Sequence, residues 1–338
     1  MTEATAKKET KSAPVPKNLG APRGRVYDSV LQTIGGTPLV RLPNLTKKHG
    51  LGAHLMAKLE FFGPTASVKD RSVLAMVEGA EVAGQIKPGK SILIEATAGN
   101  AAVSIAQIGA VKGYRVILVM PESTALEKQK FLRLLGAELI LVPPEKGMKG
   151  AAQVVKNTMK ESKDYFSLNQ FENTAAIDAH ANGTAQEIWA DTGGAVDVFI
   201  AGVGTGATIM GTAQTLKKHK PGLQVFAVEP AESAVLSGEK KPEAHGIHGL
   251  GAGHKPELLD MKLIDGVIKV STDQALKAAR ELARVEGIAG GISSGANIAA
   301  SIEVAKMPDM KGKNIVTIIP SFAERYISSK LFDGMGKG

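Results

Sequence analysis

Val196-Asp197-Val198-Phe199-Ile200-Ala201-Gly202-Val203-Gly204-Thr205-Gly206-Ala207-Thr208 reads as a buried strand, a glycine cup and the opening of a helix, in that order. Val196 to Val203 is an apolar run of strand length, and Thr208 to His219 carries a helical pattern. Gly204, Thr205, Gly206, Ala207 and Thr208 lie at the junction. Glycines there let successive backbone N–H groups converge on an anion, and the helix N-terminus adds partial positive charge. The junction is read as a phosphate-binding turn. Two kinds of phosphate fit it. Gly202, Gly204 and Ala207 satisfy a G-x-G-x-x-A dinucleotide pattern, and Glu229 ends the next strand about 20 residues on, where a ribose-binding carboxylate would sit. The extra Gly206 and Thr208, and the mid-chain location, favour a tight cup for one monophosphate.

Outward from this unit the same alternation recurs. Strand-like runs are Ser91 to Glu95, Tyr114 to Met120, Glu138 to Val142, Gln224 to Val228 and Ile315 to Ile319. Helical stretches separate them: Ala101 to Lys112, Ser123 to Gly136, Lys149 to Lys160, Thr272 to Glu286 and Ala296 to Lys306. Apolar runs flanked by helices are the mark of parallel sheets covered on both faces, so the fold class is α/β. In such sheets ligands bind at the carboxyl ends of the strands.

At 338 residues the chain exceeds one core of common size, and two lobes sharing a cleft are expected. Hydrophobic residues at 43% and charged residues at 22% describe a soluble globular protein, and no apolar run approaches the ~18 residues of a membrane span. There is no cysteine, which excludes disulfides, thiolate metal sites and a cysteine nucleophile. Residues 1–24, rich in Lys, Ala, Pro and Thr, have no apolar signal segment and read as a disordered tail. The formal net charge of +8 is compatible with nucleic acid, but aromatics at 4% leave few stacking platforms, and a small anionic ligand accounts for it as well.

Lys69, in Ala66-Ser67-Val68-Lys69-Asp70-Arg71, falls in the first turn of an expected helix with Ser67 as its N-cap. Positive potential at a helix N-terminus disfavours an ammonium, and a neutral amine forms Schiff bases. Two more loops follow strands. In Thr97-Ala98-Gly99-Asn100-Ala101, Thr97 and Asn100 flank a glycine and can turn several donors toward one ligand. In Pro320-Ser321-Phe322-Ala323-Glu324-Arg325-Tyr326 a strand ends at a serine suited to capping.

Together and in this order, these motifs resemble the cysteine synthase (O-acetylserine sulfhydrylase) family of fold-type II pyridoxal-phosphate enzymes. Further matches are Gly35-Gly36-Thr37-Pro38, Gln170-Phe171-Glu172-Asn173 and Gly291-Ile292-Ser293-Ser294-Gly295, and the likeness runs from about Arg25 to Phe332. It implies a tryptophan-synthase β-like fold with the cofactor between an N-terminal lobe, 25–173, and a C-terminal lobe, 174–338. Lys69 would form the Schiff base and act as general base; Gly204, Thr205, Gly206, Ala207 and Thr208 would hold the cofactor phosphate. Asn100 would bind the 3′-oxygen and Ser321 would face the pyridine nitrogen. Thr97, Ala98, Gly99, Asn100, Ala101 and Gln170 would form the substrate-carboxylate site. The implied chemistry is β-replacement, with O-acetylserine and sulfide giving L-cysteine. A cytoplasmic homodimer is implied too, and a serine acetyltransferase tail is the family's partner. No metal is expected.

The chain departs from the family pattern in places. The usual Thr-Ser-Gly-Asn-Thr-Gly turn is Thr97-Ala98-Gly99-Asn100-Ala101-Ala102, so two hydroxyls expected to grip the carboxylate are missing. Each lost hydrogen bond to a charged group costs about 1.5–3 kcal/mol. The same loss bears on the acetyltransferase tail, and it keeps a cofactor-binding homologue with little turnover as the alternative reading. Ala207 stands where the family has glycine. The usual Gln-Gly-Ile-Gly-x-Gly-Phe run is His248-Gly249-Leu250-Gly251-Ala252-Gly253-His254, whose two histidines read as solvent-facing loop residues rather than metal ligands.

Overall fold

The computed structural model describes residues 23–336. The expectation for residues 1–24 therefore lies outside the described residues except at Arg23 and Gly24. Among the described residues ten strands form two sheets. They are β1 (Leu39–Arg41), β2 (His54–Leu59), β3 (Ile92–Ala96), β4 (Arg115–Pro121), β5 (Glu138–Val142), β6 (Tyr165–Phe166), β7 (Val198–Gly202), β8 (Gln224–Pro230), β9 (Gly266–Val270) and β10 (Asn314–Ile319). The α-helices are α1 (Pro43–Lys48), α2 (Lys69–Val82), α3 (Asn100–Lys112), α4 (Leu126–Leu134), α5 (Gly147–Thr158), α6 (Ala175–Ala179), α7 (Ala185–Asp191), α8 (Ala207–His219), α9 (Thr272–Glu286) and α10 (Ile292–Ala305).

The larger sheet has the order β1-β2-β10-β7-β8-β9, and only β1 is antiparallel. The smaller, β5-β4-β3-β6, is wholly parallel. Alternating residues of each strand go to opposite faces, and both faces are buried. Val198, Ile200, Phe226 and Val228 pack under α9 and α10, whereas Phe199, Ala201, Val225 and Ala227 pack with Ile188, Ile209 and Met210 of α7 and α8. In the small sheet Leu93, Val116 and Leu118 face α2 and α3, while Ile94, Ile117 and Val119 face Ala151 and Val155 of α5.

The α/β class and the strands read from the sequence are present, with ends shifted by one or two residues in most cases. The division at 173/174 does not follow the sheets. β1 and β2, from the N-terminal part, pair into the large sheet beside β10. Parallel pairing of His54 with Asn314 through Leu59 with Ile319 joins segments far apart in sequence, which local patterning cannot report.

Candidate active site

Lys69 opens α2, but not as a capped helix terminus. The N-cap position is Val68, with no side-chain cap bond, and the Ser67 hydroxyl is buried with no partner among the described residues. Ser67 instead bridges to Ser321, and the Val68 N–H donates to the Pro320 carbonyl at 2.8 Å. The lysine is thereby pinned to the carboxyl end of β10. Ala66 has φ of +53°, a left-handed conformation that costs a non-glycine residue about 1 kcal/mol and is held by these flanking bonds. The Lys69 amine is pushed down to about 8, and the cause is burial.

Its neighbours fix the helix start. Asp70 accepts from the Thr65 N–H (2.9 Å), the Ser104 hydroxyl (2.7 Å) and the Thr65 hydroxyl. Arg71 donates to buried Glu60 and to Glu187, each at 2.7 Å. The same two carboxylates accept from the Thr37 hydroxyl and the Gly36 N–H. The Gly35-Gly36-Thr37 segment is thus part of the clamp behind Lys69. Burial alone would raise the Glu187 carboxyl, but Arg71 and Lys58 overcome it and hold it at about 2.

The glycine cup forms as β7 passes into α8. Gly206 is in the left-handed region at φ +88°, as the N-cap of α8, and a Cβ on Gly204 would run into the Gly249 carbonyl oxygen. Among the described residues the N–H groups of Gly204, Gly206 and Thr208 have no partner within the protein. Behind the cup, the Thr208 hydroxyl is 3.2 Å from Nε2 of His180, whose Nδ1 is 2.9 Å from the Thr184 hydroxyl. Burial, with the charges of Arg71 and Lys69, pushes this imidazole down to about 3, so it stays neutral with one nitrogen donating and one accepting. His180 was not legible in the sequence: it begins a single π-helical turn, His180–Thr184, between α6 and α7.

One cavity is lined by Val68, Lys69, Asn100, Gly202, Gly204, Thr205, Gly206 and Thr208, with His248, Ser293 and Asn297 completing its polar wall. With Pro320 also in its wall, it brings together the lysine segment, the asparagine turn, the glycine cup and the turn after Ile319. Asn100 donates Nδ2 to the Tyr326 hydroxyl (3.3 Å) and receives Arg325 on its Oδ1 (3.3 Å). Ala207 is buried in the N-terminal core cluster rather than in the wall. Thr97, Ala98, Gly99, Ala101 and Gln170 do not line the cavity either. Gln170 belongs to a loop gathered by the Glu95 carboxylate, which accepts from the Ser167 hydroxyl and the Leu168 N–H.

Ser321 is fully buried with its hydroxyl 2.8 Å from that of Tyr326, directly after Pro320 of the cavity wall, and Ser293, at the start of α10, lines the same wall. Glu229 is not free for a ribose: its carboxylate accepts from the N–H groups of Leu236 and Ser237 and from the Ser237 hydroxyl at 2.6–3.0 Å. The dinucleotide reading fails on that ground. Among the described residues no three His, Asp or Glu side chains gather as metal ligands, and no helix is long and apolar enough to cross a membrane.

An amine of lowered basicity in one cavity with a cup of unpaired amides suits a phosphorylated aldehyde, and the groups present fit pyridoxal phosphate: Lys69 could take the aldehyde, the cup the phosphate, and Asn100 and the wall hydroxyls the ring. The chain is a pyridoxal-phosphate-dependent enzyme of the α/β class. It belongs to the family described as pyridoxal-phosphate dependent enzyme, which it matches over residues 30–321. Cysteine synthase 3 of Caenorhabditis elegans is 44% identical over 300 residues, covering 89% of this chain and 88% of that protein. Cysteine synthase of Staphylococcus aureus is 44% identical over 306 residues, 90% and 97% of the two chains. The crystal structure of cysteine synthase from Entamoeba histolytica superposes with a TM-score of 0.91 at 43% identity, covering 96% of each chain.

Proposed function

We propose that this enzyme makes L-cysteine from O-acetylserine and sulfide. The observation that carries the reading is the single cavity in which Lys69, Asn100 and the Gly202–Thr208 cup meet, in a chain 44% identical to cysteine synthases. Pyridoxal phosphate, when bound, supplies the electron sink that acidifies the substrate's α-proton. The protein's part is positioning and proton transfer. The cup amides and the Thr208 hydroxyl hold the phosphate, with His180 orienting Thr208. Lys69 Nζ takes the α-proton, holds it while acetate leaves, and returns it after the nucleophile has added. Asn100, steadied by Tyr326 and Arg325, orients the ring through its 3′-oxygen. Ser321, next to Pro320 of the wall and bonded to the Tyr326 hydroxyl, would face the pyridine nitrogen, with Ser293 in the same wall. A neutral hydroxyl there does not keep the ring nitrogen protonated, which favours β-elimination and replacement over transamination.

The substrate carboxylate is assigned to the Thr97–Ala101 turn and Gln170. With Ala98 and Ala101 offering no hydroxyl, the turn's backbone N–H groups carry more of the grip. A homodimer, a cytoplasmic location and binding of a serine acetyltransferase tail belong to the same proposal and rest on the family resemblance. The test is a visible spectrum of the cofactor-loaded protein titrated with O-acetylserine, then sulfide, with L-cysteine assayed. A band that shifts and returns with one cysteine per cycle supports the reading. A band that O-acetylserine leaves in place refutes it and favours the low-turnover homologue.

A further inference from the structure

His248 stands where the family run carries glutamine, and the structure puts it in the wall of the cavity that holds Lys69 and Asn100. Its ring lies nearly parallel to that of Tyr326, at 6.3 Å between centroids and 10° between planes. The residue is exposed toward the cleft, and among the described residues neither ring nitrogen has a hydrogen-bond partner, unlike His245 on the Gly251 carbonyl and His254 on the Ala252 carbonyl. The charged groups that act on it are Lys128 of α4, whose Nζ is 5.8 Å from the Tyr326 ring and whose own neighbour is Glu127, and His245 of its own loop, with Lys69 lining the same cavity. Desolvation, then Lys128 and His245, push its pKa down. A neutral imidazole with an unpaired nitrogen is a proton acceptor, whereas an anion-binding group would need to be charged.

Resting on the reading of the site as a β-replacement centre, we infer that His248 is a further catalytic residue, the general base for the incoming nucleophile. As the sulfur's lone pair forms its bond to the β-carbon, the S–H proton passes to the free nitrogen of His248. The electron pair displaced onto the substrate is taken up at the α-carbon with the proton held by Lys69, and His248 then loses its proton to water. Glutamine at this position accepts a hydrogen bond but not a proton. The residue therefore extends the nucleophile class toward thiols that are neutral at working pH.

The test compares two nucleophiles on the loaded enzyme with O-acetylserine as donor. One is 2-mercaptoethanol, neutral below roughly pH 8.5 as aliphatic thiols are; the other is 5-thio-2-nitrobenzoate, already a thiolate. The readout is the ratio of their rates across pH in wild type, His248→Gln and His248→Asn. Below the thiol's own pKa, general-base assistance predicts a ratio lowered about 10²-fold in both variants, with a remaining rise with pH that follows only ionisation of the thiol. A second readout is the ¹³C-histidine NMR titration of the loaded protein: besides buried His180, one imidazole titrates below the ordinary histidine value, disappears in His248→Gln, and shares its midpoint with the wild-type ratio. A ratio and pH profile unchanged in both variants overturns the role of His248 while leaving the cysteine synthase reading intact. Failure of the wild type to turn over O-acetylserine with either nucleophile overturns that reading and this inference together.

Discussion

Restoring one hydroxyl to the substrate turn is a direct check on how the site grips its carboxylate. Ala98 lies between the end of β3 and the start of α3 and is partly exposed. At the adjacent Gly99 a built Cβ meets no heavy atom within 4 Å, so the turn opens beside Ala98, which is half-buried at the edge of the N-terminal core cluster and gains a single atom as serine. Ala101 is different: it is 4% exposed and packed in the N-terminal core cluster, where Ala101→Thr meets an overpacking cost of about 1–3 kcal/mol. The structure thus separates two substitutions that the sequence treats alike. A hydroxyl donating to a carboxylate contributes about 1.5–3 kcal/mol, which is about 10- to 150-fold in affinity. Ala98→Ser is therefore expected to lower the midpoint of the spectral titration with O-acetylserine, or with an unreactive amino acid, by at least 10-fold. The unliganded cofactor band should be unchanged. A midpoint that moves less than twofold with that band intact refutes the account: the carboxylate would then be held by groups the hydroxyl does not reach.

Four further outcomes follow from the same geometry. Arg71→Leu strands the Glu60 carboxylate, 1% exposed, and is expected to lower unfolding stability in urea by about 3–5 kcal/mol; a loss under about 1 kcal/mol would show that the clamp behind Lys69 is not structural. Folded Lys69 titrates near 8 and the unfolded residue near 10.5, so the unfolded chain binds more protons between these values. The apoprotein should gain stability as pH rises through that window, and its condensation with pyridoxal phosphate should accelerate through about pH 8; a midpoint near 10.5 would contradict the burial argument. The Glu187 contribution has the opposite window, complete above about 4.5 and lost as pH falls toward 2; Glu187→Gln should be less stable at neutral pH and lose less stability between pH 4.5 and 2, and an unchanged acid slope would contradict this. Gly204→Ala drives a Cβ into the Gly249 carbonyl and should weaken cofactor retention on dialysis at least 10-fold; undiminished retention would remove the cup from the site.

The α/β class, the glycine cup, the lysine and the asparagine turn were legible in the sequence because each is local. A run of apolar residues broken by glycines at a strand-to-helix junction carries its meaning within about a dozen positions. What those residues face was decided by tertiary contacts. Ser67 reads as an N-cap, yet the β-bridge to Ser321 takes its backbone and leaves Val68 at the cap. Glu229 reads as a ribose ligand, yet Leu236 and Ser237 consume its carboxylate. Ser321 and Ser293 both follow family-like motifs, and only the packing of α10 against the end of β10, where the Gly291 N–H donates to the Ser321 carbonyl, brings the two segments to one cavity. His248 reads as a loop histidine until its loop meets Tyr326. The lysine's basicity changes for the same reason: its lowering comes from burial between the ends of β10 and β7, not from its own helix. Local sequence selects the conformation of a segment, but desolvation, hydrogen-bond competition and side-chain facing depend on neighbours far along the chain, and those exist only once the sheets have formed.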